Sequence, residues 1–343
     1  MKILIVELST SHTEIIEPIL NVLKPWTVDL AIHENSFSKV ENLEHQIKIF
    51  KLSNNSEVSE AQAIIKKNNY DLVIFNSAQG KNALSLVIKT FFVKSRYVGF
   101  HHNPEKLVRS FTQSLIKLKI KKYVLLAQFN KDYLVRNSVD AKTMHVFYPV
   151  MDQFTAQSQA AVGKDQQQRL IAVPGVLEQG RRDYFGLIQA VRKNSQLFKN
   201  IKFELLGNSL THDGPEIKKQ ISQFKLADHF QLYDGYVEQK VLDQCLRQCD
   251  YVMPLLHPGT KYFEKYLHTK ISGAYSLAFS FHKPLLMHDL FSSINDFKEN
   301  CVFYNLNNLD EQIQKNTAIN HQFYDQFKTE VQSQKFKDFL NQP

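Results

Sequence analysis

Long apolar runs are missing from this sequence. None approaches the roughly 20 residues that a bilayer-spanning helix requires. Cysteine is scarce as well: Cys245, Cys249 and Cys301 are too few for a disulfide framework and fit a reducing compartment. Cys245 and Cys249 stand one helical turn apart with no accompanying Cys or His pair, so they read as a helix face and no metal is expected. There is no zinc knuckle and no aromatic signature of an RNA-binding sheet, so nucleic acid is not an expected partner. Carboxylates are outnumbered, 34 Asp and Glu against 42 Lys and Arg, which leaves a formal net charge of +8. A chain of that balance attracts anions, and a phosphate-bearing small molecule or an anionic membrane surface is the remaining candidate.

What is present points to a folded α/β protein. At 343 residues the chain is too long for one ordinary core, and two domains are expected. The opening, Met1-Lys2-Ile3-Leu4-Ile5-Val6-Glu7, meets a carboxylate too early for a secretion signal and reads as a first strand, so a cytoplasmic location is expected. Strand and helix signals then alternate. Apolar runs at Ile3–Val6, Val28–Ile32, Ile47–Leu52, Tyr70–Phe75, Tyr97–Phe100, Tyr123–Ala127 and His145–Tyr148 read as strands. Helical spacing falls between them, at 14–23, 58–67 and 83–94. A Gln-, Ala- and Ser-rich stretch follows, and strands resume at Leu170–Val173, Ile201–Leu206, Phe230–Tyr233, Tyr251–Met253, Pro284–Met287 and Val302–Tyr304. This rhythm predicts two doubly wound parallel sheets: a first domain over 1–150, a linker over 151–168 and a second domain over 169–319. An aromatic, charged, helix-permissive tail occupies 320–343.

In such sheets ligands sit beyond the carboxyl ends of the strands, so residues that follow strands carry most information. After Leu170–Val173 come Pro174-Gly175 and then Arg181-Arg182 at the start of a helix. Arginine forks match phosphate oxygens, and two positive charges are slightly misplaced at a helix N-terminus unless an anion joins them. Gly207 and Gly235 each end a strand. Lys270-Ile271-Ser272-Gly273 precedes a small-residue helix and the strand after Pro284, offering a charge, a hydroxyl and free N–H groups to an anion such as a nucleotide diphosphate. In the first half, Ser11, His12 and Glu14 lie in the loop after the first strand, and His101-His102 ends the strand at Phe100. Histidine there can orient a hydroxyl or accept its proton, since its ordinary pKa lies near working pH. Residues 106–122 mix apolar Leu107, Phe111, Leu115 and Leu118 with six basic side chains, the pattern of a basic amphipathic helix able to rest on anionic lipid.

The second half resembles the nucleotide-sugar domain of GT-B glycosyltransferases. The likeness runs in order through Gly175 with Arg181/Arg182, Leu205-Leu206-Gly207, Asp234-Gly235-Tyr236-Val237, Asp250–Leu255 and Ser272–Leu286, covering about residues 169–290. The two glutamates that flank the last of these helices in the large retaining group have no counterpart: Thr269 and Leu277 stand near those places, and the nearest carboxylate is Glu264. The resemblance implies a fold of two Rossmann-like domains with an interdomain cleft. It implies donor binding by Gly175, Arg181, Arg182, Gly207, Gly235, Tyr236, Val237, Lys270, Ser272 and Gly273, and acceptor binding by the first half, with His101 or His102 as catalytic histidine and a tail that returns to the first domain. The implied activity is metal-independent transfer of a sugar from a nucleotide sugar to a glycan or lipid-linked acceptor, without a bound cofactor, in polysaccharide or glycoconjugate synthesis. Membrane contact through 106–122 would place such an enzyme peripherally on the inner membrane face. Two alternatives share the shape: a nucleotide-sugar epimerase and a catalytically inactive GT-B-like binding subunit.

Overall fold

The computed structural model describes residues 1–151, 153, 168–315 and 317–342. The linker expected at 151–168 therefore lies almost wholly outside the described residues. The chain forms two compact units, Met1–Pro149 joined by the segment from Thr329 onward, and Val150–Lys328.

The first unit is a seven-stranded parallel sheet in the order β3-β2-β1-β4-β5-β6-β7. Its strands are β1 (Lys2–Glu7), β2 (Thr27–His33), β3 (Lys48–Leu52), β4 (Leu72–Phe75), β5 (Arg96–His101), β6 (Lys122–Leu125) and β7 (Met144–Val146). Ile3, Leu4 and Ile5 on β1 and all of β4 are buried, the continuous apolar pattern of strands covered by helices on both faces. The strand order turns back at β1 and β4, which pair in register from Ile3↔Leu72 to Val6↔Phe75. That turning point is where an α/β sheet leaves a crevice for ligands.

The second unit is a six-stranded parallel sheet, β10-β9-β8-β11-β12-β13. It comprises β8 (Arg169–Pro174), β9 (Ile201–Asn208), β10 (Phe230–Tyr233), β11 (Tyr251–Val252), β12 (Leu285–His288) and β13 (Cys301–Tyr304). The order turns back at β8 and β11. Both sheets are doubly wound, as the alternating sequence predicts.

Three helical expectations need correction. Residues 106–122 are not one helix: Glu105–Arg109 and Phe111–Ile116 are separate, and Lys122 already begins β6. Ser110 breaks them with an extended backbone and caps the second through its side chain on the Gln113 N–H. The helix expected over 83–94 spans Lys81–Lys89, and the Thr90 hydroxyl donates to the Leu86 carbonyl at 2.7 Å where it ends. The tail is a 3-10 segment, His321–Phe327, followed by the helix Thr329–Asn341. Phe327 stacks on Phe279 at 4.6 Å in the second unit. Beyond Lys328 the helix packs in the first unit, where Phe336 and Phe339 meet His145 and Ser333 donates to the Val22 carbonyl at 2.8 Å.

Candidate functional site

The carboxyl edge of the second sheet gathers cations. The loop after β8 carries Arg181 and Arg182, and the chain after the helix Phe263–His268 carries Lys270. Arg181 pairs with Glu178 at 2.6 Å and also lies 6.0 Å from the Tyr262 ring centroid. Lys270 stands 4.0 Å from the same ring and 5.2 Å from that of Tyr266. Burial lowers the Lys270 ammonium pKa, and the charges of Arg181, Lys265 and Arg182 lower it further, against the opposing carboxylate of Glu178. Arg182 is 9% exposed, and among the described residues its buried Nε has no hydrogen-bond partner. A buried guanidinium without an anion is costly, and several cations beside it raise that cost until an anion arrives.

Gly175 and Gly207 have a packing reason. Gly175 has φ +121°, and a Cβ there would lie 2.4 Å from Arg182 Nη2. A Cβ on Gly207 would lie 2.2 Å from the Gly175 carbonyl oxygen. The two strand ends therefore close on each other, and the guanidinium lies against the bare Gly175 backbone. Gly273 differs: it is exposed and a Cβ there would meet open space. Ser272 is buried and accepts from the Ala274 N–H at 3.4 Å, so its hydroxyl caps the helix Gly273–Ser280. Gly235, φ +116°, turns the chain after β10, and its N–H donates to Asn208 Oδ1 at 3.1 Å. The next residue, Tyr236, is 85% exposed, a free ring beside that turn, while Val237 is half-buried.

One network was not legible in the sequence. Asp183, next to Arg182, caps the helix Tyr184–Lys193 by accepting from the Gly186 N–H. Its other oxygen accepts from His257 Nδ1 at 2.9 Å, and His257 Nε2 lies 2.6 Å from the Tyr304 hydroxyl. A carboxylate only accepts, so Nδ1 carries a proton, and in the neutral ring Nε2 accepts from the Tyr304 hydroxyl. Burial pushes the Asp183 carboxyl up, but hydrogen bonds from His257 and the Gly186 N–H outweigh it and hold it low. The arrangement pins the loop that presents Arg182. His257 alone, in a Pro-Gly loop, gave no sequence signal of a partner 74 residues away.

In the first unit the polar residues gather where the strand order turns back. Glu7, wholly buried at the end of β1, accepts from Ser9, from Asn76 Nδ2 and from Ser77 Oγ, each at 2.7 Å. Asn76 Nδ2 also reaches the His12 carbonyl at 2.9 Å. His12 has a left-handed backbone, φ 63°, and its ring stacks on His102 with centroids 3.6 Å apart. Ser11 is exposed and bonded to Ser9, and Glu14 lies 3.6 Å from His12 Nδ1. Burial raises the Glu14 carboxyl pKa, but hydrogen bonding and the charge of His12 bring it below the usual value.

The two neighbouring histidines part company. His101 has no exposed surface: its Nε2 faces Gln113 Nε2 at 3.2 Å and its ring meets Tyr123 edge-on. It is a core residue at the end of β5, where every residue from Tyr97 to His101 is buried, whereas His102 lies beyond the strand. His102 Nε2 lies 2.7 Å from the Asn76 carbonyl and must donate to it, which leaves Nδ1 with the lone pair. Burial, followed by the charge of His12, pushes His102 down to about 3. A neutral imidazole of that weak basicity suits hydrogen bonding to a substrate better than proton abstraction near neutral pH. Among the described residues no group of three or more His, Cys, Asp or Glu is arranged to hold a metal ion.

No protein-family model and no curated protein sequence matches the chain. Solved structures do. Alr3699/HepE of Anabaena, in complex with UDP and glucose, superposes with a TM-score of 0.72 at 15% identity, with all of both chains covered. A glycosyltransferase from Rickettsia africae ESF-5 gives 0.69 at 15% identity over 100% of this chain and 99% of that one. The UDP-GlcNAc 2-epimerase of Methanocaldococcus jannaschii gives 0.60 at 12% identity over all of both. At these identities the likeness concerns the fold: the chain resembles GT-B glycosyltransferases in its two Rossmann-like sheets.

Proposed function

We propose that the chain is a glycosyltransferase that takes a nucleotide-activated sugar and binds the donor's diphosphate at the carboxyl edge of the second sheet. The buried guanidinium of Arg182, with its Nε unpartnered among the described residues and Lys270 and Arg181 nearby, carries this reading. Arg182, Lys270 and Arg181 supply the positive charge that a departing diphosphate needs, fixed in place before the bond breaks, so the step does not depend on a metal. Gly175 and Gly207 let the strand ends close beneath that charge. Tyr236 offers its exposed ring to a base, alongside Gly235 and Val237. The bound UDP of the Anabaena structure supports the same class of ligand. The acceptor, a glycan or lipid-linked sugar, falls to the first unit, where Glu7 and Asn76 order the loop bearing Ser11, His12 and Glu14, and His102 Nδ1 accepts from the reacting hydroxyl.

The test offers a panel of nucleotide sugars with and without glycan and polyprenyl-phosphate-sugar acceptors, reading release of nucleoside diphosphate and mass gained by the acceptor. A transferase releases diphosphate faster with acceptor. In the His102→Ala variant turnover should fall about 10²-fold, the scale of lost positioning, with nucleotide affinity unchanged. An altered sugar without acceptor would establish the epimerase instead, and nucleotide-sugar binding without any turnover the inactive binding subunit.

A further inference from the structure

Between Leu72 and Lys131 the sequence holds eleven lysines and arginines and one carboxylate, Glu105. Glu105 is already paired with Arg109 at 2.8 Å. Large apolar side chains are exposed in the same stretch: Phe92 is 94% exposed, Phe111 80%, Ile88 60% and Leu118 57%. Phe111, Leu115 and Leu118 follow helical spacing on one side of the segment that begins at Phe111, while Gln113 and Ile116 on its other side are buried. That helix packs beside Lys81–Lys89, which ends next to Phe91 and Phe92. Lys119 ties the two segments together, donating to the Phe91 carbonyl at 2.8 Å and the Val93 carbonyl at 2.6 Å.

Lysines surround these apolar groups. Lys89, Lys94, Lys106 and Lys121 are exposed, and none is ion-paired among the described residues. Lys117, like Lys119, spends its ammonium on a backbone carbonyl, that of Leu107, so its charge is not cancelled. Exposed apolar patches rimmed by polar groups mark interaction sites. The charge along this stretch is almost wholly positive, although Glu57 and Glu60 stand on the helix packed beside Lys81–Lys89; that balance disfavours a second copy of this face and attracts an anionic surface. Projecting, unpocketed phenylalanines among flexible lysines match a lipid interface, where rings enter the acyl boundary and ammonium groups meet headgroups.

We propose that this face of the first unit, built from Ile88–Phe92 and Phe111–Lys121, docks on an anionic lipid bilayer, with Phe92 and Phe111 inserted. The docking is reversible and needs no membrane-spanning segment; no helix among the described residues is long and apolar enough to be one.

The experiment is sedimentation of the full chain with phosphatidylcholine vesicles, with and without phosphatidylglycerol, at low and high salt. Binding to the anionic vesicles should exceed binding to neutral ones by about tenfold or more and weaken as salt shortens the screening length. The double variant Phe92→Ser with Phe111→Ser should lose about tenfold in anionic-vesicle binding, since insertion of the rings is removed, while its melting temperature stays unchanged. Equal binding to both vesicle types, unchanged binding by the double variant, or no binding at all would overturn the proposal. The last outcome leaves an acidic protein partner as the reading of this face.

Discussion

The guanidinium of Arg182 lies over the bare backbone of Gly175, so close that a Cβ at Gly175 would stand 2.4 Å from Nη2. Gly175 also holds φ +121°, a conformation that side chains rarely adopt. The glycine and the arginine thus form one device. Gly175→Ala should lower stability by about 1–3 kcal/mol through strain and displace the guanidinium, weakening diphosphate binding as well. Gly80→Ala, in the first unit at φ +92° with open space around its Cβ, should cost stability alone. Melting temperatures and UDP affinities of both variants check this; equal affinity losses would mean that displacement of Arg182 is not the cause.

Acid should unfold the first unit through its buried histidines. His101 and His102 are pushed down to about 3 and His145 to about 4, in each case chiefly by burial, from an ordinary 6.5. The unfolded chain binds these protons first, so the stability they contribute is complete above about pH 6.5 and lost as pH falls toward 3. Each histidine adds up to about 1.4 kcal/mol per pH unit to that slope. Urea midpoints between pH 7 and 4 should fall steeply, and His101→Gln should flatten the slope whatever it does to stability at pH 7. A variant slope equal to the wild-type one would refute the assignment.

The C-terminal helix should be indispensable to the first unit. Phe336 is 1% exposed and its neighbour Gln332 exchanges hydrogen bonds of 2.8 and 2.9 Å with the Tyr148 backbone. Phe336→Ala should cost about 3–5 kcal/mol, the range for a large buried aromatic. Chemical denaturation measures it; a loss below 1 kcal/mol would mean that the helix only rests on the surface.

Much of the fold was legible because buried parallel strands are short, continuous apolar runs separated by breakers, from Ile3–Val6 to Val302–Tyr304. The helices were less so. Ser110 ends one helix and caps the next, and an apolar spacing that continues across it, Leu107 to Leu118, hides the break. At the candidate site, Gly175, Arg182 and Lys270 stand out because local chemistry marks them. His101 does not differ from His102 in type, and only its place on the strand, buried on both faces, and its packing against Gln113 send it inward. The bonds of Asp183 to His257, and of Glu7 to Asn76, join residues 74 and 69 positions apart, a separation along which no sequence pattern runs.

The central claim is that the cations around Arg182 hold a diphosphate, and calorimetric titration of UDP and of uridine into wild type and Arg182→Ala tests it most directly. UDP should bind wild type far more tightly than uridine does. The variant should lose about 1.5–3 kcal/mol for UDP, the scale of a charged hydrogen bond, and nothing for uridine. Repeating the titration with GDP and ADP separates the base from the diphosphate. Diphosphate affinities that are the same in wild type and Arg182→Ala, for every base tried, would contradict it.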